Sequence, residues 1–314
     1  MAGKNVEHHA LRLREVERSA SYNDATPLFP VPGSWFLVPG HKPMIFQLIA
    51  LDLDGTVIDR DLVIHPDVRE TIAAVQARGI HVTLATGRMF SAAMPFAREL
   101  DIRAPIICYQ GALVRHPLTG ETLYHATMPA DLAAAAVRVL LNADIFVIAY
   151  VHDVHYIAAH RAELEAYLAF HPEENEIVVT PDLEQLVARM APTKLLFVAE
   201  PQVVERELAR LSDRFGAALA VVRSHAIFGE LTAPHVSKGQ ALAALAQSLG
   251  VAREEVMAIG DQENDLSMIT WAGLGLAMGN AVPAVRAQAH AVLPSVDEAG
   301  VACALRRYVL NCTS

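Results

Sequence analysis

The stretch Asp52-Leu53-Asp54-Gly55-Thr56 places two carboxylates directly behind the mostly apolar run 45–51. A short run of this composition is typical of a buried strand. Two like charges this close disfavour joint ionisation unless a cation lies between them. The glycine lets the backbone turn tightly and approach a ligand closely. The stretch therefore predicts a site for a divalent metal and an anion at the end of a strand, although Asp and Gly are also ordinary turn residues.

Composition and charge narrow the class of protein. The chain has 314 residues, 53% of them hydrophobic and 19% charged, which is enough to build one large core or two smaller ones. The net charge of -10 argues against nucleic-acid binding, for which a basic surface is expected. The apolar runs are strand-sized, and the three cysteines form neither a zinc pattern nor a disulfide framework. We therefore expect a cytoplasmic protein that binds neither nucleic acid nor a membrane.

Strand and helix patterns alternate in two outer segments, and a different pattern lies between them. The outer segments 44–126 and 229–314 predict a Rossmann-like α/β fold, a mostly parallel sheet with helices on both faces. Residues 127–228 have a self-contained α+β pattern of domain size and are predicted to be an inserted domain. Residues 1–43 form an N-terminal extension that lacks the pattern of a secretory signal. Two interpretations stay open: the extension is disordered, or translation starts at Met44.

Three further polar segments follow predicted strands or open predicted helices. Thr86-Gly87-Arg88 follows a strand, and its hydroxyl and N–H groups suit a phosphoryl oxygen, although Thr86 could equally cap the next helix. Ser237-Lys238-Gly239 opens a helix, where a lysine is unfavourable for the helix dipole unless an anion lies nearby. Gly260-Asp261-Gln262-Glu263-Asn264-Asp265 adds a second acidic pair behind a strand, or caps a helix. Ligand sites of such sheets lie beyond the carboxyl ends of the strands, so we expect the segments to meet there.

These four segments, in this order, resemble the motifs of the haloacid-dehalogenase superfamily, and in particular its Cof-type phosphatases. The resemblance covers about residues 45–310 and implies that the insertion is a large α/β cap that excludes water and selects substrate. It further implies a Mg²⁺-dependent phosphomonoester hydrolase that forms an aspartyl phosphate. The implied substrate is a small phosphorylated metabolite such as a sugar phosphate. The protein would be a monomer or a homodimer.

The resemblance also implies a role for each matching residue. The expected catalytic residues are Asp52, Asp54, Thr86 and Lys238. The expected metal-binding residues are Asp52, Asp54, Asp261 and Asp265. The expected substrate- or phosphate-binding residues are Gly87, Arg88 and Asn264. Asp52 would be the nucleophile, while Asp54 would be general acid and then base, contributing its backbone carbonyl to the metal.

Two features fall outside the shared motifs. Gln110-Gly111-Ala112 stands where these enzymes commonly have Asn-Gly-Ala, so the amide is kept and a methylene is added. The inserted domain has no recognisable motif of its own. Its candidate lid contacts are His152, Asp153, His155 and Arg161, and the simpler interpretation of each is an exposed polar residue.

Three other functions stay open. A phosphosugar mutase of the same superfamily shares the acid pair and the cap style, but it needs a bisphosphate activator. A receiver-like signalling module also uses an Asp, Mg²⁺, a Thr and a Lys. Its acceptor Asp lies on a later strand, however, and it has no inserted lid. A catalytically silent binding protein is disfavoured by the four intact motifs.

Overall fold

A computed structural model describes residues 46–169 and 176–310. The predicted N-terminal extension lies outside the described residues. The strands are β1 (Leu48–Leu51), β2 (His81–Leu84), β3 (Ile106–Cys108), β4 (Leu113–Arg115), β5 (Thr122–His125), β6 (Phe146–Val151), β7 (Val154–Ile157), β8 (Ile177–Val179), β9 (Lys194–Val198), β10 (Ala220–His225), β11 (Phe228–Thr232), β12 (Val256–Gly260), β13 (Leu274–Ala277) and β14 (Ala291–Val292).

Helices separate most of these strands. The α-helices are α1 (Pro66–Gln76), α2 (Phe90–Glu99), α3 (Ala130–Asn142), α4 (Ala162–Leu168), α5 (Leu183–Arg189), α6 (Pro201–Phe215), α7 (Lys238–Leu249), α8 (Leu266–Trp271), α9 (Pro283–Gln288) and α10 (Gly300–Leu305). Among the described residues, none of these helices has both the length and the apolar content needed to span a membrane.

The first sheet is parallel throughout and runs in the order β14-β13-β12-β1-β2. All four residues of β1 are buried, which explains why the sequence there is a continuous apolar run. Leu51 at the end of β1 is in register with Leu84 of β2 and Ile259 of β12. The loops that follow these three strands therefore leave the sheet at the same edge, as predicted.

The second sheet lies in the insertion and runs in the order β10-β11-β9-β6-β7-β8. Its strand pairs are antiparallel except for β7 and β8. Alternate residues of β6 point to different cores: Val147 and Ala149 pack with α3, α5 and α6, whereas Ile148 and Tyr150 join the core of the first sheet. One face of this sheet therefore packs on its own helices, and the other faces the parallel-sheet domain.

Strand β11 extends the insertion beyond its predicted end at residue 228. It pairs with β9 and β10, so the second sheet continues to Thr232. The exact bounds of the insertion stay a proposal, in which β11 belongs to the insertion. Strands β4 and β5 form a hairpin, which builds a small antiparallel sheet with β3.

Candidate active site

Lys238 lies between two buried carboxylates at the carboxyl edge of the parallel sheet. Its Nζ donates to Asp52 Oδ1 and to Asp265 Oδ1, each at 2.6 Å, and all three side chains are buried. Asp52 follows β1, Asp265 lies in the loop behind β12, and Lys238 is the first residue of α7. The hydroxyl of Ser237 accepts from the backbone N–H of Gln240 and fixes the start of that helix. Three segments far apart in the chain thus meet around one ammonium group.

Asp265 also shapes the loop that carries Asp261. Its Oδ2 accepts from the backbone N–H groups of Asp261 and Gln262, at 2.9 and 3.0 Å. Because Oδ1 is already bound to Lys238, both oxygens of Asp265 have protein partners. Asp265 is therefore suited to supporting the site through its neighbours, and its direct binding of a metal stays a prediction.

Asp261 has one satisfied and one unsatisfied oxygen. Its Oδ2 accepts from Gln262 Nε2 at 2.9 Å, whereas its Oδ1 is buried and has no hydrogen-bond partner among the described residues. Ligand atoms of Asp52, Asp261 and Asp265 all lie within 4.8 Å of one another. A buried carboxylate oxygen without a donor is costly, and carboxylate oxygens are the ligands that Mg²⁺ prefers. These residues therefore fit a bound divalent cation.

The charges around Lys238 do not balance. Burial raises the pKa of Asp52 well above its usual value, and Asp265 raises it further while Lys238 opposes both. Burial likewise raises the pKa of Asp261. Burial alone would lower the pKa of Lys238, but the carboxylates of Asp52 and Asp265 outweigh it and leave this pKa above its usual value. One ammonium faces three carboxylates, so a further cation would stabilise their ionised forms.

These raised carboxyl pKa values predict that the metal-free protein gains stability as the pH falls. The folded state holds protons on Asp52 and Asp261 more tightly than the unfolded chain does. The stability that these two carboxyl groups contribute is thus complete below their unfolded pKa of about 4. It is lost as the pH rises through the pKa values that they have in the folded state. In EDTA, lowering the pH from about 8 towards the unfolded pKa of about 4 should raise the melting temperature of the wild type relative to that of Asp261→Asn. Equal changes in both proteins, measured by scanning fluorimetry, would contradict the assignment.

Asp54 points away from this acidic cluster. Arg88 donates to both oxygens of its carboxylate, from Nε to Oδ2 at 3.0 Å and from Nη2 to Oδ1 at 2.6 Å. The Asp54 side chain is 51% exposed. The carboxylate of Asp54 is therefore not part of the candidate metal site, and only its backbone carbonyl remains available for the implied metal contact.

Thr86 is fully buried and closes the turn behind β2. Its hydroxyl accepts from the backbone N–H of Arg88 at 3.1 Å. The residue that precedes α2 in the capping position is Met89, so the alternative in which Thr86 caps this helix is wrong. The carbonyl of Thr86 accepts from the backbone N–H of Gln110 at 3.1 Å, which joins this turn to the loop behind β3.

Gln110 lies between Gly87 and Asn264, two of the predicted phosphate-binding residues. Its Oε1 accepts from Asn264 Nδ2 at 2.9 Å. Its Nε2 lies so close to Gly87 that a Cβ atom built there would come within 2.5 Å of it. Gly87 and Asn264 therefore lie on opposite sides of the Gln110 amide. The amide that Gln110 keeps from the family pattern is therefore bonded to Asn264 within the protein.

Asn280 belongs to the site although the sequence analysis did not select it. Its Nδ2 donates to the carbonyl of Gly55 at 2.8 Å and to Asp261 Oδ2 at 3.3 Å, and its Oδ1 accepts from the backbone N–H of Val296. Gly55 has a φ of +79°, and a Cβ there would come within 2.7 Å of Asp261. Asn280 thus ties the loop behind β1 to the loop behind β12. Its place just behind β13, another parallel strand, is the signal that could have found it.

Comparison with known proteins places this geometry in a family. A family model described as haloacid dehalogenase-like hydrolase matches residues 49–305. The chain belongs to this family. The 5-amino-6-(5-phospho-D-ribitylamino)uracil phosphatase YitU of Bacillus subtilis (strain 168) is 31% identical over 265 residues, which cover 83% of this chain and 97% of the relative.

Solved structures agree with the haloacid dehalogenase-like fold. A crystal structure from Thermotoga maritima is 30% identical, has a TM-score of 0.78, and is matched over 97% of its length and 84% of this chain. The subclass IIB sugar phosphatase BT4131 has a TM-score of 0.71 at 20% identity, over 83% of this chain and 98% of that one, and supports the fold alone. The predicted core with an inserted α+β cap is confirmed, as is the prediction that this haloacid dehalogenase-like hydrolase is a phosphatase. We call the second sheet with α3 to α6 the cap domain.

Proposed function

We propose that this phosphatase hydrolyses phosphate monoesters of small metabolites, such as sugar phosphates, in a Mg²⁺-dependent reaction through an aspartyl phosphate on Asp52. The observation that carries the proposal is the buried Asp52–Lys238–Asp265 arrangement, with the unsatisfied oxygen of Asp261 beside it. Neutral side chains would suffice for packing at this position. A lysine enclosed by three acids instead fits chemistry in which negative charge has to be held and neutralised.

In the first step, Asp52 attacks the phosphorus atom. A bond forms between a carboxylate oxygen of Asp52 and phosphorus, and the bond from phosphorus to the ester oxygen breaks. Lys238 fixes the rotation of the Asp52 carboxylate through Oδ1 and reduces its repulsion from the phosphate. Mg²⁺ held by Asp52, Asp261 and the Asp54 carbonyl would supply the remaining positive charge that the phosphoryl group requires.

Asp54 supplies and then removes a proton in the proposed reaction. As the general acid it protonates the leaving oxygen, and as the base it takes a proton from the water that attacks the phosphoenzyme. That attack releases inorganic phosphate and regenerates the carboxylate of Asp52. Arg88 donates to both carboxylate oxygens of Asp54, so this carboxylate is already paired before substrate binds. For the first step Arg88 has to release Asp54, and the phosphate of an incoming substrate is a suitable new partner for its guanidinium.

A screen of phosphorylated metabolites tests the proposed function. Released inorganic phosphate is measured with Mg²⁺ and, as the control, with EDTA. We expect Mg²⁺-dependent release from several small phosphomonoesters and no requirement for a bisphosphate activator. Isomerisation of a phosphosugar without phosphate release would instead identify a mutase, and a long-lived phosphorylated Asp52 without turnover would identify a receiver-like module.

Asn280 provides a prediction about metal affinity. We expect Asn280→Ala to raise the Mg²⁺ concentration for half-maximal activity by about 10-fold, because residues that orient metal ligands typically affect affinity on that scale. Gln262→Ala is the matched control: it loses a bond to the same Asp261 oxygen but leaves the contact with Gly55 intact. Isothermal titration with Mg²⁺ measures the affinity directly. An unchanged affinity in Asn280→Ala would show that joining the two loops does not shape the metal site.

A further inference from the structure

The turn between β6 and β7 uses two residues in a costly backbone conformation. Val151 pairs with Val154, so His152 and Asp153 form a two-residue hairpin loop. Their φ values are 51° and 67°. Loops of this kind strongly favour Asn-Gly, because glycine adopts positive φ without steric cost. The presence of an aspartate where glycine fits best indicates that its side chain has a use.

Asp153 reaches out of the cap domain and binds the start of a helix in the parallel-sheet domain. Its Oδ1 accepts from the backbone N–H of Phe90 at 2.9 Å, and its Oδ2 accepts from the backbone N–H of Ser91 at 2.8 Å. These are the first two residues of α2, whose N–H groups have no partner within the helix. Met89, which precedes them, makes no side-chain hydrogen bond to the helix. A residue of the cap domain therefore satisfies the N-terminus of this helix.

The same carboxylate is connected to the predicted phosphate-binding turn. Asp153 Oδ1 also accepts from the hydroxyl of Tyr109 at 2.9 Å. Tyr109 donates its backbone N–H to the carbonyl of Arg88 at 2.9 Å, and Gln110 donates to the carbonyl of Thr86. Thus the groups that Asp153 binds are held, through one or two hydrogen bonds, to the turn that carries Thr86 and Arg88.

Asp153 differs from the other residues of the cap domain that the sequence analysis selected. His152 is exposed, and Arg161 forms ion pairs with Asp144 and Glu163, both of the cap domain. His155 is buried, with its Nε2 3.2 Å from the hydroxyl of Tyr167. A ring contact between Tyr109 and Tyr150, with centroids 5.9 Å apart, lies beside the Asp153 contact. Among these four candidates, Asp153 forms hydrogen bonds with the loops that carry the predicted catalytic residues.

We propose that Asp153 is a positioning residue, which holds the Thr86–Arg88 turn in its geometry when the cap domain is packed against the parallel-sheet domain. The proposal rests on the proposed function, since this positioning affects turnover only if this turn acts on the phosphoryl group. With the cap domain seated, the Asp153 carboxylate holds α2 and Tyr109 together. With the cap domain lifted, the N–H groups of Phe90 and Ser91 bind water and the support of the turn is lost.

Asp153→Gly isolates this contact from the stability of the hairpin. Glycine removes the carboxylate and relieves the cost of the positive φ, so the loop between β6 and β7 is retained. Asp153→Asn also accepts this backbone conformation and keeps one acceptor oxygen, so it should have an intermediate effect. His152→Gly is the matched control, because it changes the same turn and leaves the carboxylate in place.

Amide hydrogen exchange and kinetics with p-nitrophenyl phosphate and Mg²⁺ test the proposal together. In Asp153→Gly we expect the Phe90 and Ser91 amides to exchange about 10-fold faster, while the Asp261 and Gln262 amides, which Asp265 holds, stay unchanged. We expect kcat to fall about 10-fold with little change in KM, since positioning acts on the transition state. His152→Gly should match the wild type in both measurements.

Two results would overturn the proposal. Unchanged exchange at Phe90 and Ser91 in Asp153→Gly would show that the contact does not hold these groups in solution. Faster exchange with kcat within about twofold of the wild type would show that the contact does not position the catalytic turn. A wild type without any phosphatase activity would instead defeat the proposed function, and the exchange experiment would still decide whether Asp153 binds α2.

Discussion

Replacing Asp52 with asparagine should reduce phosphate release by roughly 1,000-fold or more, the scale on which enzymes respond to loss of their nucleophile. The amide has nearly the shape of the carboxylate and can still accept a hydrogen bond from Lys238. What it loses is the anionic oxygen that attacks phosphorus. The measurement is the rate of phosphate release with Mg²⁺ on the best substrate of the metabolite screen.

Asp59→Asn is the matched control for this experiment. Asp59 lies in the same loop, but its Oδ1 accepts from the backbone N–H groups of Asp61 and Val63, away from the acidic cluster. The control should retain most of the wild-type rate. Near-normal turnover in Asp52→Asn would show that the reaction does not use Asp52 as its nucleophile.

Replacing Lys238 with methionine should have the largest effect on stability. Breaking a buried ion pair by removing one partner costs about 3–5 kcal/mol, and here the remaining carboxylates of Asp52 and Asp265 lose their common cation. We therefore expect the free energy of unfolding in EDTA to fall by about that amount, together with loss of turnover. Urea denaturation followed by circular dichroism measures the first effect.

Lys194→Met separates this effect from the general cost of losing a buried lysine. Lys194 is almost as buried and pairs with Glu230 in the cap domain at 3.3 Å. Mg²⁺ should restore part of the stability of Lys238→Met, because it binds the same carboxylates, and should not restore that of Lys194→Met. If Lys238→Met were as stable in EDTA as the wild type, the charge balance described here would be wrong.

The parts of the site that could be predicted from sequence are those set by local pattern and by topology. Asp52 and Asp261 follow apolar runs that are typical of buried strands, and parallel strands bring their carboxyl ends to one edge. Lys238 was selected because a lysine in the first turn of a helix is unfavourable without an anion nearby. These three residues meet in the structure because the register of β1 and β12 places their loops side by side.

The remaining parts depend on contacts between distant segments. The bond from Asn280 to Gly55 and the pairing of Arg88 with Asp54 have no periodic signal, since each depends on where a loop comes to lie. Strand β11 was missed for a related reason: Phe228–Thr232 becomes a strand by pairing with β9 and β10. Asp153 was selected as a candidate lid contact, but only the packing of the cap domain shows what it binds.

We expect Asp52 and Asp261 to hold one divalent cation beside Lys238. A crystal soaked with Mn²⁺, with data collected at the manganese absorption edge, tests it directly. We predict a single strong anomalous peak between Asp52 and Asp261, at about 2.0–2.3 Å from an oxygen of each, the range expected for hard divalent ions. A crystal in which manganese binds elsewhere, while the space between these two carboxylates holds no peak, would contradict the account.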